Sequence, residues 1–292
     1  MDELAGYAPE EIVFSNLAEL KERKHATGEQ LRAHLRELAV EISADFGDGA
    51  AFLSSLPDYG AELDRIFSPD GADTEKAILC MELHSLLPAV SSFWQDWFFP
   101  GGEVSSAAYN RIAYQKNGYT EMAFAGFSRL LREPRAAYPH SFRSVCEEVA
   151  DGISEFCILP LENSAEGRLV AFTSLIDSFS LRIAATCDVG VGDGRVTRFA
   201  LLRKSLSILH PNEQVPRQLE IRAETGATYT AEGLFAAARL CGLPILRAET
   251  VGDSLRAVLL VSDRCDLPAF LLFLSMAHPR FEIVGLYRHL DL

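Results

Sequence analysis

Apolar positions change period twice along the chain. In the first third they recur every three to four residues. Leu31, Leu35, Leu38 and Ile42 fall in line, with Arg32, Arg36, Glu37 and Glu41 between them. That is the stripe of an amphipathic helix. A second run over 74–97 carries Ile78, Leu79, Leu83, Leu86, Leu87, Val90 and Trp94, behind Asp73, a residue suited to capping. Pro88 should kink or split it. A shorter helix is expected over 61–67. Pro100-Gly101-Gly102 ends the helical pattern and sets a boundary near 104.

Over 105–210 strands and helices alternate. Strands are expected at 111–114, 136–139, 156–159, 181–191 and 197–202. Helices are expected at 119–132, from Ser141 to Gly152, and at 167–179. Phe156-Cys157-Ile158-Leu159 is nearly continuous in apolar character, as for a strand buried on both faces. The alternation predicts an α/β unit with a mainly parallel sheet. Over 211–292 the pattern is βαββαβ, with strands at 218–223, 245–250, 255–261 and 282–287 and helices at 230–241 and 267–277, which is ferredoxin-like. The expected fold class is a multidomain α+β protein: helical over 1–104, α/β over 105–210, ferredoxin-like over 211–292.

Charge sharpens this division. The chain of 292 residues carries a formal net charge of −14. Residues 1–104 hold 20 acidic side chains against 7 basic, 105–210 hold 11 against 12, and 211–292 hold 10 against 8. No segment is basic enough for a nucleic-acid partner. The ten arginines of the middle segment suit a small anion better than a polymer, or are surface residues. No stretch of about 18 apolar residues could form a membrane span. Met1-Asp2-Glu3 does not open a secretory signal, so a cytoplasmic location is expected. The six cysteines lack ligand spacing, so free thiols, no metal and no cofactor are expected.

The densest polar cluster is Pro160-Leu161-Glu162-Asn163-Ser164-Ala165-Glu166-Gly167, where a buried strand ends. In open α/β sheets ligands bind at that edge, and N–H groups opening the next helix can hold a carboxylate. Alternatively these residues only cap a helix. A second cluster, Thr197-Arg198-Phe199, opens a strand. Arginine offers a planar fork for a carboxylate and threonine a hydroxyl, although an edge strand with a surface arginine reads the same way.

Together these motifs resemble the prephenate dehydratases. The stretch Tyr114-Gln115-Lys116-Asn117-Gly118-Tyr119-Thr120-Glu121-Met122-Ala123 is similar to that family's opening strand, turn and helix, with a shorter turn. Pro160 to Gly167 resembles its P-[IL]-E-N-S-x-x-G element, and Thr197-Arg198-Phe199 its T-R-F motif. The resemblance implies a periplasmic-binding-protein-like lobe, Thr197 as the catalytic acid, and Glu162, Asn163, Ser164, Arg198 and Phe199 around a small anionic substrate. Residues 217–290 resemble the family's regulatory ACT domain, with Gly226 and Ala227 at its G-A-L turn, Gly285-Leu286-Tyr287 at its G-S-Y, and Glu249 alone retained from its E-S-R-P element. That implies an aromatic amino acid as effector and a homodimer. The first third occupies the place of a chorismate mutase domain, and Ser91 and Gln95 resemble its Ser-x-x-x-Gln pair. Its excess of acid predicts that mutase activity has been lost.

One departure is large. The family inserts a second lobe before the T-R-F strand, and substrate binds between the lobes. Here Val191 reaches Thr197 through Gly192-Asp193-Gly194-Arg195-Val196, room for a hairpin turn only. Two readings follow. The chain is a prephenate dehydratase of phenylalanine biosynthesis with its lobe replaced by other parts of an oligomer. Alternatively it is a weak or inactive relative that binds small molecules and regulates aromatic amino-acid metabolism.

Overall fold

A computed structural model describes residues 28–44, 72–87, 94, 98, 109–190, 194–210, 213–224, 230–251, 253–278 and 280–292. The expected helix at 61–67, Ser91, Gln95, Gly226 and Ala227 lie outside the described residues.

Helix α1 spans 28–44 and buries Leu35, Ala39 and Ile42, the stripe read from the sequence. Helix α2 (Ala72–Leu86) stops two residues before Pro88, whose ring disfavours helical backbone at the residue before it. Arg32 and Arg36 of α1 both bond the Glu82 carboxylate on α2, at 3.2 and 2.9 Å. The two arginines hold that carboxyl below its usual range, against burial, which pushes it up.

The α/β segment runs β1 (Arg111–Ala113), α3 (Gly118–Phe127), β2 (Arg135–Ala137), α4 (Phe142–Ala150), β3 (Phe156–Asn163), β4 (Gly167–Arg168), α5 (Val170–Ser178), β5 (Arg182–Gly190) and β6 (Val196–Arg203). The C-terminal segment runs β7 (Arg217–Glu224), α6 (Ala231–Leu240), β8 (Ile245–Val251), β9 (Ser254–Val261), α7 (Leu267–Ala277) and β10 (Phe281–Leu290). Side-chain caps open α3 at Asn117, α4 at Ser141, α6 at Thr230 and α7 at Asp266. Among the described residues no helix is long and apolar enough to cross a membrane.

The described strands join one sheet, ordered β2-β1-β3-β6-β5-β10-β7-β9-β8, with β4 on β3. Pairing is parallel for β2-β1-β3 and for β5 with β10, and antiparallel elsewhere. The mainly parallel sheet expected over 105–210 is therefore corrected. Parallel neighbours need a crossover of a dozen or more residues, and the links from β3 to β4 and from β5 to β6 are too short for one. The order β10-β7-β9-β8, all antiparallel, is that of a βαββαβ ferredoxin-like unit.

The sheet does not stop where the composition divides at 210. Strand β10 lies along β5, with Gly285 beside Ile183. A Cβ on Gly285 would come within 2.5 Å of the Ile183 carbonyl oxygen, so this seam requires glycine. On the α/β side, α3 covers one face over Ile112, Phe156, Ile158, Val189 and Phe199. Helices α4 and α5 cover the other over Cys157, Leu159, Leu161, Ala200 and Leu202. On the C-terminal side, α6 and α7 cover one face and are backed by α1 and α2 in a shared core. The opposite face turns toward β4 and α5.

Candidate functional site at the edge of β3 and β6

The end of β3 and the start of β6 place the two sequence clusters side by side. Pro160 faces Phe199, then a bulge skips Leu161, so Glu162 pairs with Arg198 and Asn163 with Thr197. Successive strand residues point to opposite faces. Phe199 is buried in the core beneath α3, so it is a packing residue rather than a ligand contact. Thr197 shares its face. Arg198 shares the other, with Ala200 and Leu202. The structure thus separates the hydroxyl and the guanidinium that the sequence joined in one site.

Arg198 is fully engaged within the chain. Its Nε and Nη2 donate to the two Asp188 oxygens at 2.8 and 2.9 Å, a bidentate pair. Its Nη1 lies 2.9 Å from Glu162 Oε1. Arg247, on β8, bonds the other Glu162 oxygen. Partial burial pushes the Asp188 carboxyl up, but the Arg198 hydrogen bonds and charge outweigh it and hold the carboxyl below its usual range. His289 completes the cluster, with Nδ1 3.0 Å from the Thr186 hydroxyl and Nε2 3.6 Å from Asp188. Burial lowers its basicity.

Asn163 and Ser164 hold the turn itself. The Asn163 Oδ1 accepts from the N–H groups of Ala165 and Glu166 at 2.9 and 2.6 Å, an Asx turn. Gly167, at φ +73, then returns the chain along β3 as β4. The Val196 N–H donates to Ser164 Oγ at 3.0 Å. The loop therefore does not open a helix, and α5 starts only at Val170. The N–H groups expected to hold a carboxylate already have acceptors. The Thr197 hydroxyl is half-buried and makes no hydrogen bond among the described residues.

A second, more deeply buried cluster lies along the junction of the two segments. Glu220, fully buried on β7, accepts from Arg168 on β4 and from the Tyr287 hydroxyl, both at 3.0 Å. Arg256 on β9 lies 3.5 Å from it, and its Nη2 donates to both oxygens of Asp177 on α5 at 2.8 and 2.7 Å. Asp177 continues to Arg222 at 2.9 Å, and Glu282 joins Arg222 to Arg182. Glu249, matched by resemblance to an effector-binding position, sits 2.5 Å from Arg168 Nε. Burial, then Glu220, pushes the Tyr287 phenol well above its usual range. Sequence reasoning passed over Arg168, Asp188, Glu220, Arg247 and Arg256. A signal existed at one of them: Arg256 sits between Leu255 and Ala257, the single charge of a largely apolar strand.

The third motif lies elsewhere. Ala113 pairs with Cys157, so β3 runs on six residues past β1, roughly 20 Å along the strand direction. At that nearer edge the Tyr114 hydroxyl lies 3.4 Å from both Glu121 and the Tyr138 hydroxyl, and Lys116 stands over the Tyr138 ring at 4.8 Å. Among the described residues, the register does not bring this group to Thr197.

No family profile matches the chain, and no curated protein is similar to it in sequence. Solved structures do overlap it in part. GqqA, described as a novel type of quorum quenching acylase, is 17% identical, covering 61% of this chain and 94% of its own at a TM-score of 0.45. Prephenate dehydratase from Streptococcus mutans is 14% identical, covering 62% and 99% at 0.48. The Arthrobacter aurescens prephenate dehydratase, solved in complex with L-Phe, is 13% identical, covering 61% and 89% at 0.46.

Proposed function

We propose that this chain is a relative of the prephenate dehydratases that binds small molecules and regulates aromatic amino-acid metabolism without turning over prephenate. One observation carries the reading. Arg198, the cation that would receive a substrate carboxylate, is held at three nitrogens by Asp188 and Glu162, on the face opposite Thr197. Decarboxylating dehydration of prephenate needs an acid at the leaving hydroxyl and fixed charge around the developing aromatic ring, in a site closed to water. Here the acid and the cation do not converge. The β5–β6 hairpin leaves no room between those strands for a second lobe. In this reading residues 211–292 are an ACT-like sensor, the first third a decayed mutase-like unit, and the working form a cytoplasmic homodimer.

The test is direct. Purified protein is mixed with prephenate and phenylpyruvate is followed, beside Thr197→Ala. Background rates for both proteins are expected. Turnover lost in Thr197→Ala would establish the enzyme reading instead. One observation favours that second reading: Thr197 keeps a hydroxyl unengaged among the described residues, across from Asn163.

A further inference from the structure

Two cysteines meet where α6 ends and α7 begins. Cys241 caps the end of α6, and the chain turns away at Gly242. A Cβ on Gly242 would lie 3.3 Å from the Arg264 carbonyl oxygen and 3.8 Å from the Cys265 Cα, so the turn before α7 rests on the end of α6. The Asp266 N–H donates to the Cys241 carbonyl at 2.9 Å. With standard bond lengths, that hydrogen bond holds the Cα atoms of Cys241 and Cys265 within roughly 8 Å of each other. A disulfide spans about 4.4–6.8 Å between Cα atoms, so a small local shift is enough to join them.

The two thiols differ in access. Of the six cysteines five are buried, and Cys265 alone is partly exposed. Its Sγ donates to the Gly242 carbonyl at 2.9 Å, and the Ser262 N–H donates to that sulfur at 3.4 Å. Cys241 is buried in the apolar core against which Cys265 also packs. Burial, then Asp266 and Cys265, push the Cys241 thiol up to about 12, so it is not the first to meet an external oxidant. We propose that Cys265 and Cys241 form a redox-modification site, in which Cys265 exchanges with a low-molecular-weight disulfide and Cys241 closes the protein disulfide. The Cys265 thiolate attacks one sulfur of the small disulfide. A bond forms to Cys265, the old S–S bond breaks, and the first small thiol leaves with the proton that Cys265 gave up. Cys241 then attacks the Cys265 sulfur, and its proton goes to the second small thiol as that leaves. The protein gives up two hydrogens and two electrons, and the small disulfide becomes two thiols. Asp266 pairs with His84 of α2 at 2.8 Å, so the bond forms beside the contact of α2 with the C-terminal unit. The inference is independent of whether the chain turns over prephenate.

The test uses the folded full chain, fully reduced and then incubated with oxidised glutathione. Remaining thiols are alkylated, and intact mass and peptide maps are recorded. The chain is expected to lose two hydrogens, with Cys241 and Cys265 recovered in one linked pair of peptides and the other four cysteines alkylated. Dithiothreitol should reverse the change. Cys241→Ala should stop at a mixed disulfide on Cys265, and Cys265→Ser should give neither product. A mixed disulfide that persists on Cys265 in the unaltered chain overturns the role of Cys241. No reaction at Cys265, or a protein disulfide that survives in Cys265→Ser, overturns the site. Cys241→Ala empties a buried position; should it fail to fold, Cys265→Ser decides the matter, because it keeps a hydrogen-bonding group at a part-exposed one.

Discussion

Thr197 and Arg198 are neighbours on β6 and meet opposite surroundings. Toward α3, the strand edge carries a hydroxyl and the amide of Asn163 above an apolar core. On the other face, Arg198 opens a chain of alternating charges that reaches through Glu162 to β8, while a second such chain joins β4 and α5 to β7, β9 and β10. The difference teaches that two residues adjacent in sequence can be committed to opposite faces of the sheet and to unlike chemistry. The charged groups on this face turn to the C-terminal sheet and are satisfied within the chain. Desolvated charges are costly unless paired, so the ionic face locks the two segments together, whereas the α3 face keeps a polar group unengaged.

The sharpest test of that contrast is Glu220→Ala. It leaves Arg168 and Arg256, each about one-tenth exposed, beside a missing carboxylate. Removing one partner of such a buried cluster costs about 3–5 kcal/mol, read as a lower urea midpoint. A loss under about 1 kcal/mol would mean that the junction is solvated and the two faces do not differ as described. Gly285→Ala comes next. Its added methyl meets the Ile183 carbonyl oxygen first, at 2.5 Å, and the Tyr287 ring next, at 2.9 Å, and overpacking of this kind costs about 1–3 kcal/mol. An unaffected midpoint would show that β5 and β10 are not paired in solution.

Asp188→Asn has a smaller effect and a characteristic pH dependence. It replaces a part-exposed bidentate pair, worth about 1–2 kcal/mol. Because the folded carboxyl titrates below its unfolded value, its contribution is complete above about pH 5 and is lost as pH falls through the lowered folded value. Urea midpoints of the two proteins should therefore differ at neutral pH and converge toward pH 3. The variant also replaces one of the two acceptor oxygens by a donor and so frees one nitrogen of Arg198, and affinity for 3-phenylpropionate should rise at this edge. Midpoints that stay apart at pH 3 would assign the loss to packing.

How far the sequence reaches is clear from individual elements. The stripe Leu35–Ile42, α7 at Leu267–Ala277 and the βαββαβ order are local patterns, set by period and capping, and were readable. The parallel sheet was misread because alternation of elements says nothing about where a short return must fold back. The junction was hidden for another reason. Arg168 and Glu220 stand 52 residues apart, and each alone looks like a polar residue on a half-buried strand. The separation of Thr197 from Arg198 follows from period two alone, whereas their pairing with Asn163 and Glu162 follows only once Leu161 is known to bulge.

The least disruptive substitution tests the open face most directly. Thr197→Val keeps the shape and the β-branching that suit a strand, and removes only the hydroxyl. That hydroxyl makes no hydrogen bond among the described residues, so its loss leaves no buried partner unsatisfied, and stability should change by less than about 0.5 kcal/mol. Ser164→Ala, three residues beyond the bulge at the same edge, deletes the 3.0 Å acceptor for the Val196 N–H and should cost about 0.5–1 kcal/mol. The order of the pair matters more than either value. If Thr197→Val costs more than Ser164→Ala, the hydroxyl has a partner outside the described residues, and the polar groups of the α3 face would then be as fully paired as those of the ionic one.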